Sequence, residues 1–161
     1  MTGANGCDAT TTISITENLV VPTPIINSNS TNLTCTTTSI TLVATGGGTY
    51  LWTGGSTSSS LSVTTPGTYT VTVTNPNGCS ASTSQIVTQN ITAPTTSITS
   101  SNNGQLTCAV TSITLTAVGG GSYLWSNGNT NAVISVSTPG IYSVTVTATN
   151  GCTATTSATI T

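Results

Sequence analysis

The chain lacks lysine, arginine and histidine altogether, and its only charged side chains are Asp8 and Glu17. Ordinary domains carry about a quarter charged residues. Without cations nothing neutralises phosphate, which excludes nucleic-acid binding and electrostatic docking on anionic lipid. Without His or Lys there is no general base or amine nucleophile, and two acids nine residues apart do not replace them. No enzyme and no cofactor are therefore expected. Calcium takes about six to eight oxygen ligands, usually several carboxylates, so a calcium site is disfavoured. The missing lysine also rules out a Lys–Asn isopeptide within the chain. No apolar run approaches the roughly 20 residues that span a bilayer, so no membrane span is expected. Met1 is followed by Thr-Gly-Ala-Asn-Gly-Cys, without the basic start and apolar stretch of a signal peptide. Either a signal has been removed or the numbering starts inside a longer protein.

What is present is hydroxyl. Ser and Thr make up roughly 40% of the residues, a compositional bias in its own right. Thr, Val and Ile alternate, which points to an ordered all-β protein. From Pro66 to Cys79, Tyr69, Val71 and Val73 point one way and Thr70, Thr72 and Thr74 the other, a strand with one buried and one wet face. Pro66-Gly67 turns the chain in, Asn77-Gly78 turns it out, and a cysteine closes the unit. The stretch returns 73 residues later, from Pro139 to Cys152.

Three units follow from this period. Residues 1–21 are expected to be the closing strand of a preceding, incomplete repeat plus a linker, because Asn5-Gly6-Cys7 matches Asn77-Gly78-Cys79 and Asn150-Gly151-Cys152. Ile15, Val87 and Ile160 fall at one offset from their cysteines. Residues 22–93 and 94–161 are the complete repeats, divided at Val21-Pro22-Thr23-Pro24 and Ala93-Pro94. In the first, strands are expected over 39–45, 49–53, 60–64, 69–74 and 82–89, with 25–33 as a polar edge strand or loop. The fold class expected is tandem small β-sandwiches.

Small sandwiches have thin cores and often carry a covalent staple. Cys35 and Cys79 are 44 residues apart, and so are Cys108 and Cys152. One bridge per repeat is the simplest pairing, stabilising each unit by about 3–4 kcal/mol through loop closure. Cys7 is left over, to pair upstream, with another subunit, or to stay a free thiol. No Cys-x-x-Cys or Cys-His cluster exists, which disfavours zinc. Disulfides place the chain in an oxidising, extracellular or cell-surface setting.

Thr65-Pro66-Gly67-Thr68-Tyr69-Thr70-Val71 resembles the Asp-x-Gly-x-Tyr-x-Cys signature of immunoglobulin domains, and Trp52 sits where those domains keep their core tryptophan. Thr65 replaces the Asp and Val71 the Cys, so the resemblance is to Ig-like sandwiches and not to antibody-type domains. It implies core roles for Trp52, Tyr69, Trp125 and Tyr142. The whole unit (Leu-Thr-Cys, Ser-Ile-Thr-Leu, Gly-Gly-Gly, Tyr-Leu-Trp, Pro-Gly-x-Tyr, Asn-Gly-Cys) is similar to the Ig-like/PKD-like repeats of large surface proteins of gliding, type-IX-secreting bacteria. That similarity implies a secreted tandem-domain adhesin, stalk or filament.

Other features admit two uses. Gly46-Gly47-Gly48 and Gly119-Gly120-Gly121 read as hairpin turns, since no Lys-Ser/Thr follows to make a phosphate loop. Tyr50, Trp52, Tyr123 and Trp125 are either core or a sugar-stacking platform. Asn29, Asn32 and Asn90 begin Asn-x-Thr triplets. The ladders Thr70, Thr72, Thr74 and Ser143, Thr145, Thr147 either wet a strand face or, by their resemblance to ice-binding β-proteins, bind a neutral surface. The expected function is a non-catalytic segment of an extracellular filament or adhesin, whose partners are further repeats, copies of itself, or neutral surfaces and glycans. A glycan- or ice-binding module is the alternative.

Overall fold

The computed structural model describes residue 4 and residues 10–161. Thirteen strands and one short 3-10 helix make up its regular structure. Residues 10–24 form no strand, and Ile13 and Ile15 are exposed. The described part of the expected closing strand over 8–16 therefore lies outside every sheet. A lone strand is not stable without a sheet edge and a face to bury, and no described sheet takes this segment up.

The first unit contains β1 (Ile25–Ser28), β2 (Asn32–Thr34), β3 (Ile40–Thr45), β4 (Thr49–Trp52), β5 (Ser60–Val63), β6 (Gly67–Thr74) and β7 (Ser80–Asn90). One sheet has the order β1-β3-β5, the other β2-β7-β6-β4. Period-two alternation decides which side chains go inside. In β3, Ile40, Leu42 and Ala44 are buried while Thr41, Val43 and Thr45 are exposed. In β6, Val71 and Val73 are buried. These residues join Leu33, Trp52, Val63 and Val87 in one core, with Tyr50 and Tyr69 packed against it.

The second unit contains β8 (Ser97–Ser100), β9 (Ile113–Val118), β10 (Ser122–Trp125), β11 (Val133–Val136), β12 (Gly140–Thr147) and β13 (Thr153–Ile160). Its sheets run β11-β9-β8 and β10-β12-β13. A separate core gathers Ile113, Leu115, Trp125, Ile134, Val144, Val146 and Ile160.

Residues 25–33, expected as a single edge strand or loop, instead form two strands that join different sheets. β1 pairs antiparallel with β3. β2 pairs parallel with β7, Asn32 opposite Thr88 and Thr34 opposite Asn90. In the second unit the corresponding segment follows the 3-10 helix at Ser101–Gly104. There the Leu106 N–H donates to the Thr161 carbonyl at 2.7 Å, and the Thr161 N–H donates to the Gly104 carbonyl at 3.0 Å.

Candidate functional site at the junction of the two units

β7 is an eleven-residue strand. At about 3.3 Å per residue its ends lie about 35 Å apart. Cys79 immediately precedes its first residue. Cys35 follows Thr34, which is paired with Asn90 at the other end, and the tight turn from Thr34 to Thr37 keeps it there. The two cysteines therefore flank opposite ends of one strand. A disulfide needs Cα atoms within about 7 Å.

This geometry corrects the expected pairing. Neither the Cys35–Cys79 bridge nor the Cys108–Cys152 bridge forms, and there is no disulfide within either unit among the described residues. Cys35 is bonded to Cys152 instead, with Cα atoms 5.0 Å apart and a sequence separation of 117. The bond ties the first unit to the second. Cys79 and Cys108 are free thiols, Cys79 half-buried and Cys108 exposed. Cys7 lies outside the described residues.

Two further contacts complete the junction. The Asn150 side-chain amide donates to the carbonyl of Thr92 at 2.9 Å and to the side-chain oxygen of Asn90 at 3.0 Å. It thereby pins the connecting segment to the turn that presents Cys152. Asn77, its counterpart in the first unit, donates in the same way to the carbonyls of Asn18 and Val20, both at 3.0 Å. The Thr36 side chain, one residue beyond Cys35, sits against Gly151, where any Cβ would collide with it. Gly151 has φ +77, a backbone shape that also favours glycine.

The aromatic residues lie in the interiors of the units. Trp52 and Trp125 are each 2% exposed, so neither is available as a stacking platform. Each indole N–H is satisfied at 2.8 Å, by the Ser58 and Asn131 carbonyls respectively. Tyr50 and Tyr123 are half-buried against the two cores. The Tyr69 hydroxyl donates to the Thr65 carbonyl at 2.9 Å, and the Tyr142 hydroxyl to the Thr138 carbonyl at 3.1 Å. Each tyrosine thus closes a corner onto the residue four positions upstream. The fold is Ig-like.

No protein-family model matches the chain, and no curated protein matches it in sequence. Solved structures are similar to it in shape. One is from a 1.5-MDa bacterial ice-binding adhesin, described for its host cell surface retention. It matches at TM-score 0.54 and 14% identity, covering 89% of this chain and 65% of that one. An amphioxus IgVJ-C2 molecule matches at TM-score 0.37 and 16% identity, covering 71% of this chain and 89% of that one. Murine CEACAM1b matches at TM-score 0.39 and 14% identity, covering 86% and 99% respectively. At these identities the likeness extends to the fold alone.

The central hydroxyl of each ladder is engaged within its sheet. Thr72 and Ser82 share a hydrogen bond across β6 and β7 at 2.9 Å, and Thr145 and Thr155 share one across β12 and β13 at 3.0 Å. Thr70, Thr72 and Thr74 are all half-buried. No helix among the described residues is long and apolar enough to cross a membrane. Among the described residues no group of three or more His, Cys, Asp and Glu comes together. Sequence reasoning missed the junction. Its one sequence signal is that Asn-Gly-Cys recurs at Asn77–Cys79 and Asn150–Cys152, just before the last strand of each unit.

Proposed function

We propose that the chain is a load-bearing segment of an extracellular filament, stalk or surface adhesin, built from Ig-like repeats bounded at 22–93 and 94–161 and carrying no catalytic activity. The observation that carries this is the Cys35–Cys152 bond. A staple within a unit would stabilise that unit. A staple between units fixes one against the next and turns a flexible string into a stiff rod. A disulfide also suits an oxidising, external setting. The near-absence of charge removes most repulsion between neighbouring modules and leaves no Lys or Arg for trypsin-like proteases. The adhesin likeness is compatible with this role and supports the fold only.

Electron microscopy of the native material tests the proposal, with peptide mapping under non-reducing conditions. Rods or fibres carrying Cys35 joined to Cys152 are expected. Isolated globules with Cys35 joined elsewhere would overturn it. Thr72 and Thr145, at the centres of the two ladders, spend their hydroxyls on Ser82 and Thr155, so no glycan-array signal and no thermal hysteresis are expected from those faces.

A further inference from the structure

The junction is built from parts that each unit carries in duplicate, and one set of parts is unused. Cys108 stands 73 residues after Cys35, and Cys152 stands 73 after Cys79. Cys35 and Cys152 are bonded, while their counterparts Cys108 and Cys79 are both free. Cys152 is 3% exposed beneath the first unit, whereas Cys79 lies only half-buried. Gly151 and Gly78 share the same backbone shape, with φ of +77 and +84. Thr36 fills the space over Gly151, and nothing described lies within 4 Å of a Cβ at Gly78. The Asn77 amide already holds its own connector as Asn150 does. Among the described residues the first unit therefore presents a preformed seat without an occupant, and the second unit presents the matching plug without a seat.

We propose that Cys108 of one copy of this chain bonds to Cys79 of the next, repeating the Cys35–Cys152 junction and joining copies head to tail into a covalent ladder. Ala109, the counterpart of Thr36, then faces Gly78, where its smaller side chain fits without collision. The two thiols lose two protons and two electrons to a disulfide oxidant, whose S–S bond is reduced to two thiols as the Cys79–Cys108 S–S bond forms. This rests on the reading of the chain as a module of an extracellular array and specifies how the array continues.

The test uses the full chain carrying Cys7→Ser, oxidised with glutathione disulfide. A series of multimers is expected on a non-reducing gel, collapsing to monomer on reduction. With 15N-labelled and unlabelled chains mixed, chymotryptic peptide 107–115 is expected joined to peptide 70–106 in mixed-label pairs. Cys79→Ser alone and Cys108→Ser alone should each stay monomeric, and the two together should stop at a dimer. Monomers with both thiols still alkylatable would overturn the ladder. So would Cys79–Cys79 or Cys108–Cys108 pairs, or a Cys79–Cys108 bond confined to one label. An intact Cys35–Cys152 bond in a monomeric product would sink the ladder and leave the module reading standing. Loss of that bond would sink the module reading itself.

Discussion

The Thr36 side chain of the first unit rests against the α-carbon of Gly151 in the second, beside the bond that joins Cys35 to Cys152. The contact supplies its own control. Gly151→Ala brings both backbone strain and a collision with Thr36, while Gly78→Ala brings the strain alone. Each left-handed alanine costs about 1–2 kcal/mol locally. Only Gly151→Ala is expected to loosen the two units. Small-angle scattering of the reduced proteins should show a broader distribution of lengths for that variant and an unchanged one for Gly78→Ala.

Cys35→Ser removes the staple without touching either core, since Cys35 belongs to neither. Both units should keep their melting transitions, because each buries its own apolar residues. Pulled from its ends, the oxidised wild-type chain should release about 400 Å less length than Cys35→Ser. The difference is the chain from Cys35 to Cys152, a sequence separation of 117, that the bond holds closed. Equal extensions for the two proteins in a force experiment would show that the bond does not carry load.

Trp52→Ala should destabilise the first unit by about 3–5 kcal/mol, the usual result of deleting a fully buried large side chain. The second unit should be unaffected, because Trp52 and Trp125 belong to separate cores. Calorimetry checks this: one transition moves down and the other stays. The residual fluorescence change, now from Trp125 alone, should follow the unmoved transition.

Tyr69→Phe deletes one hydroxyl that bonds the Thr65 carbonyl at 2.9 Å. The loss is expected to be about 1 kcal/mol, typical of a single hydrogen bond, because the corner is partly open to water. Tyr142→Phe should cost the second unit a similar amount. Denaturant titration of each single variant reads the difference.

Gly48→Ala and Gly47→Ala separate two uses of glycine in one turn. Gly47 has φ +66 and open space around it, so alanine there costs backbone strain alone. A Cβ on Gly48 would press into the Thr74 carbonyl, which belongs to a strand and does not yield. Gly48→Ala is expected to lose about 1–3 kcal/mol, as overpacking does, and more than Gly47→Ala. A reversed order in thermal melts would contradict this account of the turn.

Residue order alone determined the period of 73, the inward faces of β3, β6, β9 and β12, and the corner tyrosines. Those features are local: alternation and turn chemistry are written residue by residue. It also determined the poverty of charge. Residue order did not decide which cysteines meet. The equal spacings of 44 suited a bridge inside each unit, yet spacing along a chain carries no direction in space. That was decided when the three residues Asn32–Thr34 paired parallel to the far end of β7. The pairing sends Cys35 to the end opposite Cys79 and toward the neighbouring unit. Tertiary structure alone also decided that residues 10–16, written like a closing strand, form none, because a strand exists only where a sheet receives it.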